Sequence, residues 1–322
     1  DREMLRYMHV NDTCDAGGQE SLMTKIAFLG AGIMGQAMIG NLLKAKFSVT
    51  VFNRTIEKAR PLEELGATLA DTPRAAASGA DVVISMLTDD AACRAVWAGR
   101  QGALEAELKP NAVLIESSTI SNDWVRELAA AAQKKGLRFL DCPVAGRPDV
   151  AIAGQLNIFV GGDAADLETV RPVLRAMSKS IMHFGPIGSG NAFKLIYNVL
   201  GAIQVAALGE AMFAAEAAGL DLRAAAEGFS TGATGSPHVV RHAKYMALGR
   251  HENPVQFSGR NRIKDIGYGV AFSEKVGAQS VIGKAAASVF EQMVQLGMGD
   301  LNDSELIDAL RVGKGRAPAA KS

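Results

Sequence analysis

The chain carries no surplus of either charge: lysine plus arginine number 34, aspartate plus glutamate also 34, and the formal net charge is zero. That balance argues against a nucleic-acid-binding surface and against a polybasic membrane anchor. Cysteine is scarce. Cys14, Cys93 and Cys142 show neither metal-ligand spacing nor an even disulfide count, which suits a reducing, cytoplasmic setting. Cys142, following Asp141 at a strand end, reads as a small buried hydrophobe. No run is apolar enough throughout to span a bilayer, because the most apolar one, residues 192–208, is interrupted by Lys194, Asn198 and Gln204. Low-complexity segments and internal repeats are missing as well. No Ser-His-Asp set can be argued. His238 and His242 have i,i+4 spacing but no third ligand, so a surface helix is expected there rather than a metal site. The first 22 residues are polar and lack a signal-peptide core. Met23 therefore reads as the native start, with residues 1–22 a disordered upstream segment.

What is present is a glycine turn between a strand and a helix. Ile26 to Leu29 form a short apolar run, and Gly30, Gly32 and Gly35 follow at the G-x-G-x-x-G spacing of dinucleotide-binding turns. The first glycine permits the tight turn, the second lets a pyrophosphate approach the backbone, and the third lets helix and strand pack closely. The residues Gly30, Ala31, Gly32, Ile33, Met34 and Gly35 thus present backbone N–H groups and a helix N-terminus to phosphate. At the end of the second strand, acidic residues read a ribose 2′-hydroxyl, whereas arginine accommodates a 2′-phosphate. Here the residues are Asn53, Arg54 and Thr55, which favours NADP(H) over NAD(H).

From residue 23 onward, short apolar runs alternate with helical patterns. Expected strands lie at 26–29, 48–52, 81–86, 112–116, 138–141 and 157–160. Such alternation predicts an α/β, doubly wound parallel sheet over residues 23–186. A glycine-rich hinge at 185–190 then leads into a long helix at 191–218. Helical patterns continue, so residues 187–313 are expected to form an all-α substrate and dimerisation domain, with 314–322 a frayed tail. On the long helix, Lys194 and Asn198 share one face of an apolar run. A lysine there is costly unless it faces a wet cleft or has a partner, and desolvation would suit it to proton transfer. A snorkelling lysine beside a hydrogen-bonding asparagine accounts for the spacing equally well. Lys264 and Asp265, by themselves, read as a solvated helix start.

Four separated motifs resemble the β-hydroxyacid dehydrogenases, relatives of 3-hydroxyisobutyrate dehydrogenase and the glyoxylate/succinic semialdehyde reductases. They are Phe28 to Gly35, Glu116-Ser-Ser-Thr119, Gly188-Ser-Gly190 with Lys194 and Asn198, and Lys264-Asp265 preceded by Phe257. The resemblance implies a catalytic Lys194, a substrate-contacting Asn198, and Thr119 beside the nicotinamide. It further implies that Phe257, Lys264 and Asp265 close the site, and that the subunit dimerises through its helical domain. One motif departs from the family pattern. Where an Asp-x-Pro-Val-Ser-Gly-Gly segment usually holds the substrate carboxylate, this chain has Asp141-Cys-Pro-Val-Ala145-Gly146-Arg147. Arg147 either restores carboxylate binding or points to solvent beside a pocket for an uncharged aldehyde or imine. The expected activity is NADP(H)-dependent hydride transfer on a small aldehyde or 3-hydroxy acid. An imine reductase and a non-catalytic NADP-binding scaffold are the alternatives.

Overall fold

Strand β1 (Lys25–Leu29) shows how the chain builds its core. Its alternate side chains go to opposite faces of a sheet: Ile26 and Phe28 join one buried cluster, Ala27 and Leu29 another. Both faces are therefore covered, and the apolar run is continuous rather than alternating. The computed structural model describes residues 24–317. The segment expected to be disordered (1–22), Cys14 and the end of the tail (318–322) lie outside the described residues.

Around β1 the sheet is assembled from β2 (Ser48–Phe52), β3 (Thr68–Ala70), β4 (Val82–Ser85), β5 (Val113–Glu116) and β6 (Arg138–Asp141). These six are parallel, in the order β3-β2-β1-β4-β5-β6. Helices α1 (Ile33–Lys44), α2 (Pro73–Ala77), α3 (Asp90–Ala98) and α4 (Asn122–Lys134) make the crossovers. The arrangement is a Rossmann-type doubly wound sheet. Strand order reverses between β1 and β4, which opens a crevice at their carboxyl ends.

The far edge departs from the all-parallel expectation. After β7 (Val144–Ala145) and α5 (Pro148–Ile152), β8 (Leu156–Gly162) runs antiparallel to both β6 and β7. Beyond α6 (Ala164–Arg175), β9 (Ser178–Gly185) pairs parallel with β8. Strands β3, β7 and β9 escape a sequence reading, the first two for shortness and the third because most of its residues are partly or fully exposed.

The chain then enters α7 (Ser189–Ala217), the spine of a helical domain completed by α8 (Leu222–Thr231), α9 (Pro237–Leu248), α10 (Gly259–Lys275), α11 (Val281–Gln295) and α12 (Leu306–Gly313). The expected glycine hinge is a packed joint instead. A Cβ on Gly190 would lie 2.5 Å from the Phe159 carbonyl oxygen, so the start of α7 is pressed on β8. Among the described helices α7 alone is long and apolar enough to cross a membrane, yet 56% of that window is buried inside the fold. Its apolarity is that of a core helix.

Helices α7 and α10 approach closely because Gly269 has no side chain. An added Cβ would meet Val199 Cγ2 at 2.3 Å and the Leu195 carbonyl at 2.7 Å. Replacing Gly269 by alanine should push the helices apart and cost about 1–3 kcal/mol, as overpacking generally does. A melting curve indistinguishable from wild type would show that the contact is soft.

Candidate active site

The crevice begins at the glycine turn. Gly30 has φ +109°, and a Cβ on it would lie 2.4 Å from the Met86 carbonyl oxygen, across the point where strand order reverses. Gly35 is constrained by contact, since its Cβ would fall 2.0 Å from the Gly30 carbonyl oxygen. At Gly32, by contrast, an added Cβ would meet nothing within 4 Å. The helix N-terminus it caps has no side-chain cap and leaves Ile33 exposed. Open space in front of uncapped N–H groups is what a diphosphate needs. The residues present fit a nicotinamide dinucleotide.

Asn53 braces this turn. Its Oδ1 accepts from Ala31 N at 2.9 Å, and its Nδ2 donates to the Thr55 carbonyl at 2.7 Å. Arg54 and Thr55 beside it are exposed. No carboxylate lies within ion-pair distance of Arg54 among the described residues, which leaves its guanidinium available to a ligand.

The opposite wall of the crevice comes from the turn after β5. Glu116, fully buried, accepts from Trp97 Nε1 and from Ser118 N, both at 2.8 Å. Burial raises its pKa. Ser118 Oγ accepts from Leu87 N at 2.8 Å and so ties this turn to the one after β4. Thr119, which follows, is placed by that scaffold. Its carbonyl and that of Thr88 both accept from Lys264 Nζ, at 3.0 and 2.8 Å. A lysine from the helical domain thus closes over the switch point.

Asp141 anchors the start of α7 from below. Its carboxylate accepts from Gly188 N at 2.6 Å and from Asn191 N at 2.7 Å. Burial raises its pKa to about 6 against the opposing effect of these bonds. One turn beyond Asn191 stands Lys194, and one turn further Asn198, both buried. Asn198 Nδ2 donates to Asp265 Oδ2 at 2.8 Å. Asp265 is in place because Gly269, one turn on, lets α10 lie against α7. It is buried rather than a solvated helix start, and α10 begins at Gly259, earlier than the pattern suggested. Lys264 Nζ lies 2.9 Å from Asp265 Oδ1 as an ion pair, but outside hydrogen-bond geometry, so Oδ1 has no hydrogen-bond donor.

Lys194 is held as a depressed amine. Burial is the main cause and lowers its pKa to about 8; the Asp265 charge opposes this, and the Arg262 and Lys264 charges reinforce it. Its ammonium lies 5.7 Å from the Tyr197 ring centroid. Lys194, Asn198, Lys264, Asp265 and Thr119 therefore converge on the mouth of the crevice. Such a group can donate a proton to, or steady charge on, an oxygen placed beside it.

Other candidates sit differently. Ala145 is buried in β7, paired with Asn157, and has no polar atom to offer beyond its backbone. Gly146 has φ +154°. Arg147 is partly exposed and ion-pairs with Glu252 of the helical domain and, at 3.2 Å, with Asp149. Phe257 lies under the Arg262 guanidinium, 4.5 Å from ring centroid to Cζ. His242 is not on a helix surface. It is buried, with Nε2 3.1 Å from Asp303 Oδ1, and Asp303 also ion-pairs with Arg262. Burial alone would raise the Asp303 carboxyl; Arg262 and His242 outweigh it and hold the pKa well below the usual range. Sequence reasoning missed Thr88, Arg262 and Asp303, for which no motif gives a signal. Cys142 and Cys93 are both buried, and burial raises each thiol pKa.

Comparison with known proteins identifies the family. Residues 25–185 match the family described as the NAD binding domain of 6-phosphogluconate dehydrogenase. Residues 188–310 match that described as the NAD-binding domain of NADP-dependent 3-hydroxyisobutyrate dehydrogenase. An NAD-dependent L-serine dehydrogenase of Pseudomonas aeruginosa is 33% identical over 86% of this chain and 95% of its own. Glyoxylate/succinic semialdehyde reductase 1 of Arabidopsis thaliana is 31% identical over 90% of this chain and 99% of its own. The solved 3-hydroxyisobutyrate dehydrogenase of Mycobacterium tuberculosis, with L-serine, superimposes with a TM-score of 0.81 at 31% identity, covering 90% of this chain and 100% of that one. The chain belongs to the β-hydroxyacid dehydrogenase family and is an NAD(P)-dependent oxidoreductase acting on hydroxyl groups.

Proposed function

We propose that this protein is an NADP(H)-dependent reductase of a small carboxyl-bearing aldehyde, interconverting it with the corresponding hydroxy acid, in the manner of a semialdehyde or glyoxylate reductase. The observation that carries the reading is Lys194, a buried amine with pKa about 8 at the mouth of a dinucleotide crevice. The glycine turn and Asn53 would hold the cofactor's diphosphate end, with Arg54 and Thr55 on the 2′-phosphate and Thr119 and Lys264 at the nicotinamide end. When bound, the nicotinamide supplies or accepts the hydride. Lys194 protonates the carbonyl oxygen as it becomes an alkoxide. Asn198, held by Asp265, positions that oxygen, and Phe257 and the Ala145-Gly146-Arg147 turn bound the substrate end. Arg147 here braces the cleft through Glu252. An imine reductase is disfavoured, because likeness to solved imine reductases is one of fold alone and Lys194 suits an oxygen. A silent cofactor-binding scaffold has no use for a depressed lysine.

A second copy of the chain is the occupant we assign to the exposed apolar face of Ile196 and Leu200 on α7 with Met182 and Phe184 on β9. Light scattering at the mass of two chains is expected. We place the dimer in the cytoplasm, where free thiols and NADPH coexist.

The test is NADPH consumption with small aldehydes, 2-oxo acids and cyclic imines. Semialdehydes or glyoxylate should be reduced fastest; a preference for imines would refute the assignment. The pH profile offers a second check. In reduction Lys194 must be protonated, so kcat/KM should hold up to about pH 8 and fall above it; alcohol oxidation, which needs the neutral amine, should rise over the same range. Since the Asp265 charge supports the protonated form, Asp265→Asn should move the alkaline fall to lower pH. An unmoved limb would show that Lys194 is not the titrating group.

A further inference from the structure

Among the described residues, one arginine of the cleft, Arg241 on α9, lacks an ion-pair partner. Arg147 and Arg262 gather around it with three carboxylates, Asp149, Glu252 and Asp303. Glu252 ion-pairs with Arg147 and accepts from Tyr245 Oη at 2.9 Å. Asp303 is shared by Arg262 and His242. Asp149 also pairs with Arg147, so all three carboxylates are engaged. Arg241 keeps one long contact, Nη2 to His238 Nδ1 at 3.5 Å, and has no carboxylate within ion-pair distance among the described residues.

Its position on α9 is fixed from both sides. Three residues before it, His238 abuts Gly201, whose Cβ would lie 2.9 Å from His238 Nε2. Gly201 shares the α7 face of Lys194 and Asn198, at i+7 and i+3. Four residues after Arg241, Tyr245 reaches the Arg147–Glu252 pair beside Gly146. Arg241 is thus flanked by the catalytic face of α7 on one side and the altered β7–α5 turn on the other. Burial, then the Arg147 charge, lowers its pKa, although the more distant Asp303 and Glu252 charges pull the other way. Burial, then the Arg262 charge, pushes His238 down to about 4, so that ring is neutral and supplies no competing charge near pH 7. A partly buried guanidinium without a counter-ion is costly, and a planar carboxylate is the ligand its two-pronged donor geometry fits.

We propose that Arg241 anchors the carboxylate of the substrate, a short aldehyde acid whose carbonyl lies at Lys194, in place of the serine hydroxyl lost at Ala145. This rests on the reading of the cleft as a carbonyl-reducing site. Arg147, its charge already answered by Glu252 and Asp149, acts as a strut between the domains.

The experiment compares succinic semialdehyde with butanal, using NADPH, in wild type, Arg241→Gln, Arg241→Lys and Arg147→Gln, each first checked by melting temperature. Arg241→Gln should lower kcat/KM for the acid by about tenfold, chiefly through KM, with little change for butanal, and lysine should restore part of the loss. Arg147→Gln should affect both substrates alike. Equal losses on both substrates in Arg241→Gln, or an acid preference abolished only by Arg147→Gln, would overturn the proposal. Calorimetric titration of succinate, which cannot be reduced here, needs no turnover. Binding to wild type that weakens about tenfold in Arg241→Gln would sustain the anchor even if no aldehyde were reduced, in which case only the reductase reading fails. Equal binding to both forms, or none to wild type, would overturn it.

Discussion

Replacing Lys194 by alanine should lower turnover by about two to four powers of ten, the usual worth of a positioned general acid. Among the described residues no side chain supplies a substitute at that place. Asn198 has no titrating proton, and Lys264 is spent on the carbonyls of Thr88 and Thr119 and on Asp265. NADPH affinity should change little, because the phosphate-binding turn lies at the carboxyl end of β1 and Lys194 on α7. Two outcomes would count against the role. Near-normal turnover would remove Lys194 from the chemistry, and loss of NADPH binding with turnover would make it structural. Lys194→Arg is a useful companion: it keeps the charge but its pKa is too high to deliver a proton near neutrality. It should therefore recover less than any variant in which charge alone sufficed.

Arg54→Ala should weaken NADPH binding about ten- to a hundred-fold, the loss of one charge-assisted contact of about 1.5–3 kcal/mol. NADH should bind as before. The reason is local: Arg54 is exposed, without an ion-pair partner, at the end of β2, while Asn53 beside it is committed to bracing Ala31 and Thr55. Arg54 can therefore be removed without disturbing the turn, whereas Asn53 cannot. Fluorescence titration of both cofactors into both forms decides it. Equal weakening of NADPH and NADH would show that Arg54 does not read the phosphate.

Legibility of this chain followed the range of the interactions involved. The glycine turn was readable because its constraints are local: Gly30 and Gly35 clash with atoms only a few residues or one neighbouring strand away. The buried strands β1, β4 and β5 announced themselves as unbroken apolar runs. The reversal at β8 was not readable, since an apolar strand carries no mark of its direction. Likewise the burial of Asp265 depends on Gly269 meeting Val199 from another helix. His242 looked like a surface residue because its partner Asp303 lies 61 positions on. Arg147 posed the same difficulty, with Glu252 lying 105 positions away. The cluster that leaves Arg241 unanswered is a sum over three helices and two turns, and no sequence window contains it.

The central claim is that hydride passes between the nicotinamide and a carbonyl carbon held at Lys194. Its most direct measurement uses NADPH carrying deuterium on the transferring side of the nicotinamide ring, with succinic semialdehyde as acceptor. Mass spectrometry should find one deuterium on the carbinol carbon of the hydroxy acid formed by wild type. Lys194→Ala should still bind the labelled cofactor but form almost no labelled product. Product without deuterium at that carbon, or equal labelled product from the alanine variant, would contradict the account.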